Sequence, residues 1–137
     1  MATPSRTSSA SRSEARKRLR LAEAYLSDAE RVQAEHDEEE FHSVSASASV
    51  LAGIAAADAI CAARLGMIHR GPGHSGSADL LEKAVPDGKR LAVHLQRLLD
   101  IKGVAQYGAN FLAAGRAKSA LGWAGKLVSR AREECER

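Results

Sequence analysis

Residues 41–65 read FHSVSASASVLAGIAAADAICAARL. Nearly every side chain in this run is apolar or small, on whatever face of a helix it falls. A helix that is apolar all round belongs at the centre of a bundle. Asp37-Glu38-Glu39-Glu40 precede it, and carboxylates in a first turn favour the positive end of the helix dipole. The run therefore predicts a buried helix over about residues 39–65. Gly53 costs helix propensity there, and close packing of a neighbour is the natural compensation. Aromatic residues make up only 4% of the 137-residue chain and apolar residues 45%. A core of Ala, Leu, Val and Ile lets helix backbones approach closely and favours packed helices over a sheet.

The flanks read in the same way. Residues 1–11 are rich in Ser, Thr and Ala and are expected to be a disordered tail. Ser11 stands three residues before Glu14, the spacing of a capping box. A helix over about 12–36 follows, with Leu19, Ala22, Leu26, Ala29 and Gln33 on one stripe. Beyond the central helix, GMIHRGPGHSGS at 66–77 is the most glycine-dense stretch and reads as a loop. A short helix is predicted over 77–85, then the turn Pro86-Asp87-Gly88. Helices over about 88–106 and 113–135 complete the chain. The expected fold is all-α: an up-and-down bundle of four long helices plus one short one, occupying residues 12–137 as a single domain.

Charge is unevenly spread. Residues 1–40 carry 7 Lys+Arg against 9 Asp+Glu, residues 41–88 carry 3 against 4, and residues 89–137 carry 10 against 4. The basic last third can attract nucleic acid or an acidic partner, or serve as a solvated helix face. Cys61 and Cys135 belong to no C-x-x-C pair, so neither a disulfide framework nor a zinc site is expected, and a cytoplasmic setting fits. The apolar run at 44–63 is interrupted by Ser45, Ser47, Ser49, Gly53 and Asp58. The first residues lack an apolar h-region. No membrane span and no signal peptide are expected.

Few residues carry candidate chemistry. Asp58 lies in AAADAICAA, and an ionised carboxylate among such neighbours needs a partner, for which Arg70, Lys102 and the loop histidines are candidates. Arg64 and His69 are five apart. Such a pair can support metal-free RNA cleavage, with His accepting the 2′-OH proton and Arg stabilising the phosphate. His69, His74 and His94 have no metal-ligand spacing, so neither a metal nor another cofactor is expected. The glycine loop has no G-K-[ST] and no preceding strand, so it is no P-loop. No Ser or Cys sits in a nucleophile elbow.

The order of elements resembles the HEPN superfamily, small α-helical bundles of prokaryotic toxin–antitoxin and nucleotidyltransferase-associated systems, and most closely an actinobacterial HEPN-like group. The resemblance rests on SVLAGIAAADAICAARLG at 49–66, HRGPGH at 69–74, DLLEKAV at 79–85 and LQRLLDIKGVAQYG at 95–108, and covers roughly residues 13–133. It implies an Arg followed four to six residues later by His at the end of the penultimate long helix of an active ribonuclease. Lys102 and Tyr107 stand at those places. Tyr, with an ordinary pKa near 10, is a poor base at neutral pH. Lys meets a phosphate as a point charge without the fork of Arg. The expectation is a non-catalytic, homodimeric binding module for a partner protein, nucleotide or RNA, with a polar groove lined by Asp58, Arg70, His74, Lys102 and Tyr107. The alternatives are a divergent metal-independent endoribonuclease using Arg64, His69, His74, Lys102 and Tyr107, and a structural module that self-associates through its first and last helices.

Overall fold

A computed structural model describes residues 6–137. Among them are five helices: α1 (Arg12–Glu35), α2 (Glu39–Leu65), α3 (Ser75–Ala84), α4 (Gly88–Tyr107) and α5 (Ala114–Glu136). A two-stranded sheet joins β1 (Thr7–Ser9) to β2 (Met67–His69).

The local signals act as their chemistry requires. The Glu14 amide donates to Ser11 Oγ at 3.1 Å and the Ser11 amide to Glu14 Oε1 at 3.5 Å, closing the capping box that starts α1. Glu39 and Glu40 occupy the first turn of α2, and Gly66, at φ 67°, ends it in a left-handed conformation that a side chain would strain. Gly88 is needed where α4 begins. A Cβ there would come within 2.5 Å of the Leu81 and Glu82 carbonyl oxygens of α3.

The sheet corrects the expectation of a tail over residues 1–11. Residues 1–5 lie outside the described residues. Ser8 pairs with Ile68 in an antiparallel register, the Arg70 amide donates to the Arg6 carbonyl at 2.8 Å, and the Ala10 amide to the Gly66 carbonyl at 2.9 Å. These bonds fasten the segment before α1 to the segment after α2. Three-residue strands leave too few positions for alternation to appear in a sequence. A strand also precedes the glycine loop, which was expected to have none, but it is a short edge pair and not the core strand of a phosphate-binding unit.

α2 is the centre. It touches α1, α3, α4 and α5, and its Ala46, Ala52, Ala55, Ala56, Ala57, Ala59 and Ala62 are all buried. α1 runs antiparallel to it. Ser45 Oγ donates to the Ala29 carbonyl at 2.9 Å and accepts from Gln33 Nε2 at 2.9 Å near one end, and Arg12 reaches the Ala63 carbonyl at 3.5 Å near the other. α2 is also long and apolar enough to cross a membrane, and most of that apolar stretch is buried against the other helices.

Leu98 of α4 fills the space that Gly53 leaves on α2, and a Cβ at Gly53 would overlap its Cδ1. Replacing Gly53 by Val should therefore lower stability by about 2 kcal/mol, because overpacking outweighs the gain in helix propensity. Urea denaturation checks this, and an unchanged midpoint would mean that Leu98 moves aside at no cost.

Candidate binding face

Asp58 is half-buried on α2. Burial pushes its carboxyl up to about 6, against the opposing pull of Arg18, Arg70 and His69. Among the described residues none of these cations closes to an ion pair with it. The carboxylate is thus held near cations and kept short of solvent, and neutral water lies only slightly above its titration point. One turn away, the buried Cys61 thiol is pushed up to about 12 by burial and by Asp58, so it is an inert packing group.

The glycine loop beside Asp58 has a packing role. Both imidazole nitrogens of His69 are enclosed without a hydrogen-bond partner among the described residues. The ring lies where Gly71 and Gly76 have no side chain. A Cβ at Gly71 would come 2.8 Å from His69 Cε1, and one at Gly76 would overlap the ring. The glycines therefore receive His69 rather than cradle a phosphate. His74 precedes α3. Burial, then Lys102 and His69, lower its pKa, so it is neutral at pH 7. The loop thus brings His69 into the electrostatic surroundings of Asp58, while Lys102 acts on His74.

Tyr107 is elsewhere. It is 84% exposed at the end of α4 and borders a hollow of about 550 Å³ with Glu40, Ser43, Val44, Ser47, Val104 and Phe111. Ser43 and Asp58 are separated along α2 by roughly 22 Å. The polar groove expected from the sequence is therefore divided, with Asp58 near Arg70 towards one end of α2 and Tyr107 beside the start of α2 at the other, Lys102 standing between them on α4.

Arg64 turns away from His69. Its guanidinium lies 2.9 Å from Glu134 Oε1 on α5, and Glu134 is fully buried. Arg130 and Arg137 meet the same carboxylate at 2.9 Å and 2.8 Å, and Arg130 also reaches Asp87 at 2.8 Å. Burial alone would raise the Glu134 pKa, but hydrogen bonds from Arg130 and Arg64 and the charge of Arg137 bring it below the ordinary carboxylate range. Among the described residues no three His, Cys, Asp or Glu side chains converge as metal ligands.

One feature of α2 is hidden in its sequence. Between Ser43 and Ala62 only Val44, Ser47, Leu51, Ile54 and Asp58 escape burial. They step by three and four, so they form one strip along an otherwise enclosed helix. Val44 is 47% and Leu51 37% exposed. On the α1 side, Arg18 and Leu21 with Lys17 border a hollow of about 280 Å³ that also takes in Ala62, Ile68 and Arg70. On the α4 side stand the exposed Val104, Tyr107 and Phe111. Because apolar and small residues lie all round α2, its hydrophobic pattern has no contrast to reveal which strip stays uncovered. Compared with protein-family models and with curated proteins, the chain matches none.

Proposed function

We propose that this chain is a non-catalytic helical binding module of HEPN-like type, an up-and-down bundle that docks a protein partner on the strip of α2. The observation that carries it is that strip: five positions of a core helix left uncovered, with exposed apolar side chains beside them. A core helix that leaves Val44 and Leu51 in water forgoes burial that a partner would supply. Helix lengths and the antiparallel packing of α1 on α2 support the bundle assignment.

Several contacts favour binding over RNA cleavage. Arg64 is committed to Glu134. His69 has both nitrogens enclosed, out of reach of a bound hydroxyl. Lys102 and Tyr107 supply neither the guanidinium fork of an Arg nor the imidazole of a His. Lys17, Arg18 and Arg70 outnumber the single carboxylate Glu14 around one hollow, which favours RNA or a nucleotide as the second ligand class.

Incubation with labelled single-stranded RNA in EDTA tests this. No cleavage is expected, and at about 0.15 M salt no shift. Cleavage abolished by His69→Ala with His74→Ala would make the protein an enzyme. A shift that weakens steeply with salt would move the proposal to RNA.

A further inference from the structure

We infer that the hollow where α2 begins and α4 ends receives a cationic segment of a partner protein, with a Lys or Arg side chain against Glu40 and an apolar neighbour against Val44 and Val104. The inference rests on the proposed binding role and names the partner's chemistry at one end of the strip.

Exposed apolar surface is concentrated there. Of the seven large apolar side chains that stand exposed among the described residues, Val44, Val104, Tyr107 and Phe111 border this one hollow of about 550 Å³. Their exposure is built into the fold. The Leu112 amide donates to Ser43 Oγ at 3.0 Å, and Leu112 is buried. The loop between α4 and α5 is thereby fastened to α2 with Leu112 inward, and Phe111 beside it is left 59% exposed. An apolar cluster held in water in this way marks an interaction site.

The charge of the site selects the partner. Glu40 is the single charged side chain on the walls of the hollow. A second hollow of about 630 Å³ continues past Asn110 and Phe111 and adds Glu39 and His42. A third, of about 170 Å³, carries Asp37 with His36, His42 and Lys118. Of the exposed run Asp37-Glu38-Glu39-Glu40, only Glu38 closes on a basic side chain among the described residues, His36 at 3.7 Å. The carboxylates of Asp37, Glu39 and Glu40 thus stand along the series with Lys118 as the one lysine or arginine. A carboxylate beside aromatic rings suits a guanidinium or ammonium group, which pairs with the charge and stacks on the rings. The same carboxylates repel a phosphate backbone, so RNA does not fit here. Tyr107, 84% exposed, makes a low wall that does not enclose a small amine as a small-molecule site would. A chain segment lying along the linked hollows covers Val44 and Phe111 together.

Fluorescence anisotropy on the full chain at low salt tests it. The probe is a labelled peptide of about eight residues, roughly 25 Å when extended, with Arg and Leu interspersed among Gly and Ser. It should bind at least roughly tenfold tighter than the same peptide with Glu for Arg, or with Ala for Leu. Phe111→Ala and Tyr107→Ala should each weaken binding roughly fivefold. Glu40→Lys should weaken it roughly tenfold or more, and less at high salt. Val93→Lys, at an exposed site on α4 outside the hollow, should leave it unchanged. All four positions are exposed, and circular dichroism confirms folding. Equal affinity for the Arg and Glu peptides, indifference to the three hollow variants, or a Val93→Lys effect as large as that of Glu40→Lys would each overturn the inference. A mass that rises with concentration in sedimentation and falls back with Phe111→Ala would give the hollow to a second copy and overturn it too. RNA cleavage would overturn the binding-module reading, whereas no peptide binding and no cleavage would overturn only this inference.

Discussion

Glu134→Ala is expected to lower the unfolding free energy by about 3 kcal/mol at pH 7, at the lower end for a broken buried ion pair. The carboxylate is fully enclosed and joins Arg64 at the end of α2 to Arg130 and Arg137 of α5. Removing it leaves three guanidinium groups without their shared acceptor. Arg137 and Arg64 are partly exposed and recover water, and Arg130 keeps Asp87. That hydration holds the cost below that of stranding a fully buried charge. The acid limb follows from the direction of the Glu134 shift. Its folded pKa lies below the ordinary value, so its contribution is present above the unfolded pKa, near 4.3, and is lost as pH falls through the folded value. Urea midpoints for wild type and Glu134→Ala should therefore converge in acid. Equal midpoints at pH 7 would mean that water serves the three arginines as well as Glu134 does.

Asp58→Asn should act in the opposite direction and raise stability at pH 7 by up to about 3 kcal/mol. The folded pKa is pushed up to about 6 from an ordinary 3.8, chiefly by burial. A group raised in this way contributes its full stability below the unfolded pKa and loses it as pH rises through the folded one. Wild type and variant should therefore match below about pH 4, separate as pH climbs from about 4 to 6, and keep a constant difference above that. The amide keeps the shape of the carboxyl and removes the charge that burial disfavours. A variant less stable than wild type at pH 7 would show that Arg18 and Arg70 favour the carboxylate more than burial opposes it.

Much of the fold is legible in the sequence because its signals are local. The apolar run at 41–65, the carboxylates before it and Gly66 after it define α2 by composition and capping chemistry. Ser11 and Glu14 do the same for α1. The pair β1 and β2 is not legible, since Thr7–Ser9 has no pattern of its own and becomes a strand only when Met67–His69 is folded back beside it. Glu134 reads as one more charge in a solvated last turn, and only the tertiary approach of α2 encloses it. Asp58 stands out at once as a carboxylate among alanines. The division of its expected groove arises because Tyr107 ends α4 beside the first turns of α2, whereas Asp58 lies fifteen residues beyond Ser43 on α2. The uncovered strip escapes a sequence reading for the reason that identifies the core helix: α2 is apolar on every side.

Thiol labelling of Leu51→Cys tests the central claim most directly. Cys61 and Cys135 are buried and leave the engineered thiol as the accessible one. With the strip of α2 uncovered, Leu51→Cys should react with a maleimide at a rate comparable to that of a Val93→Cys control, whose site is exposed on α4. Labelling as slow as that of the wild-type thiols would contradict a docking face built on the strip of α2.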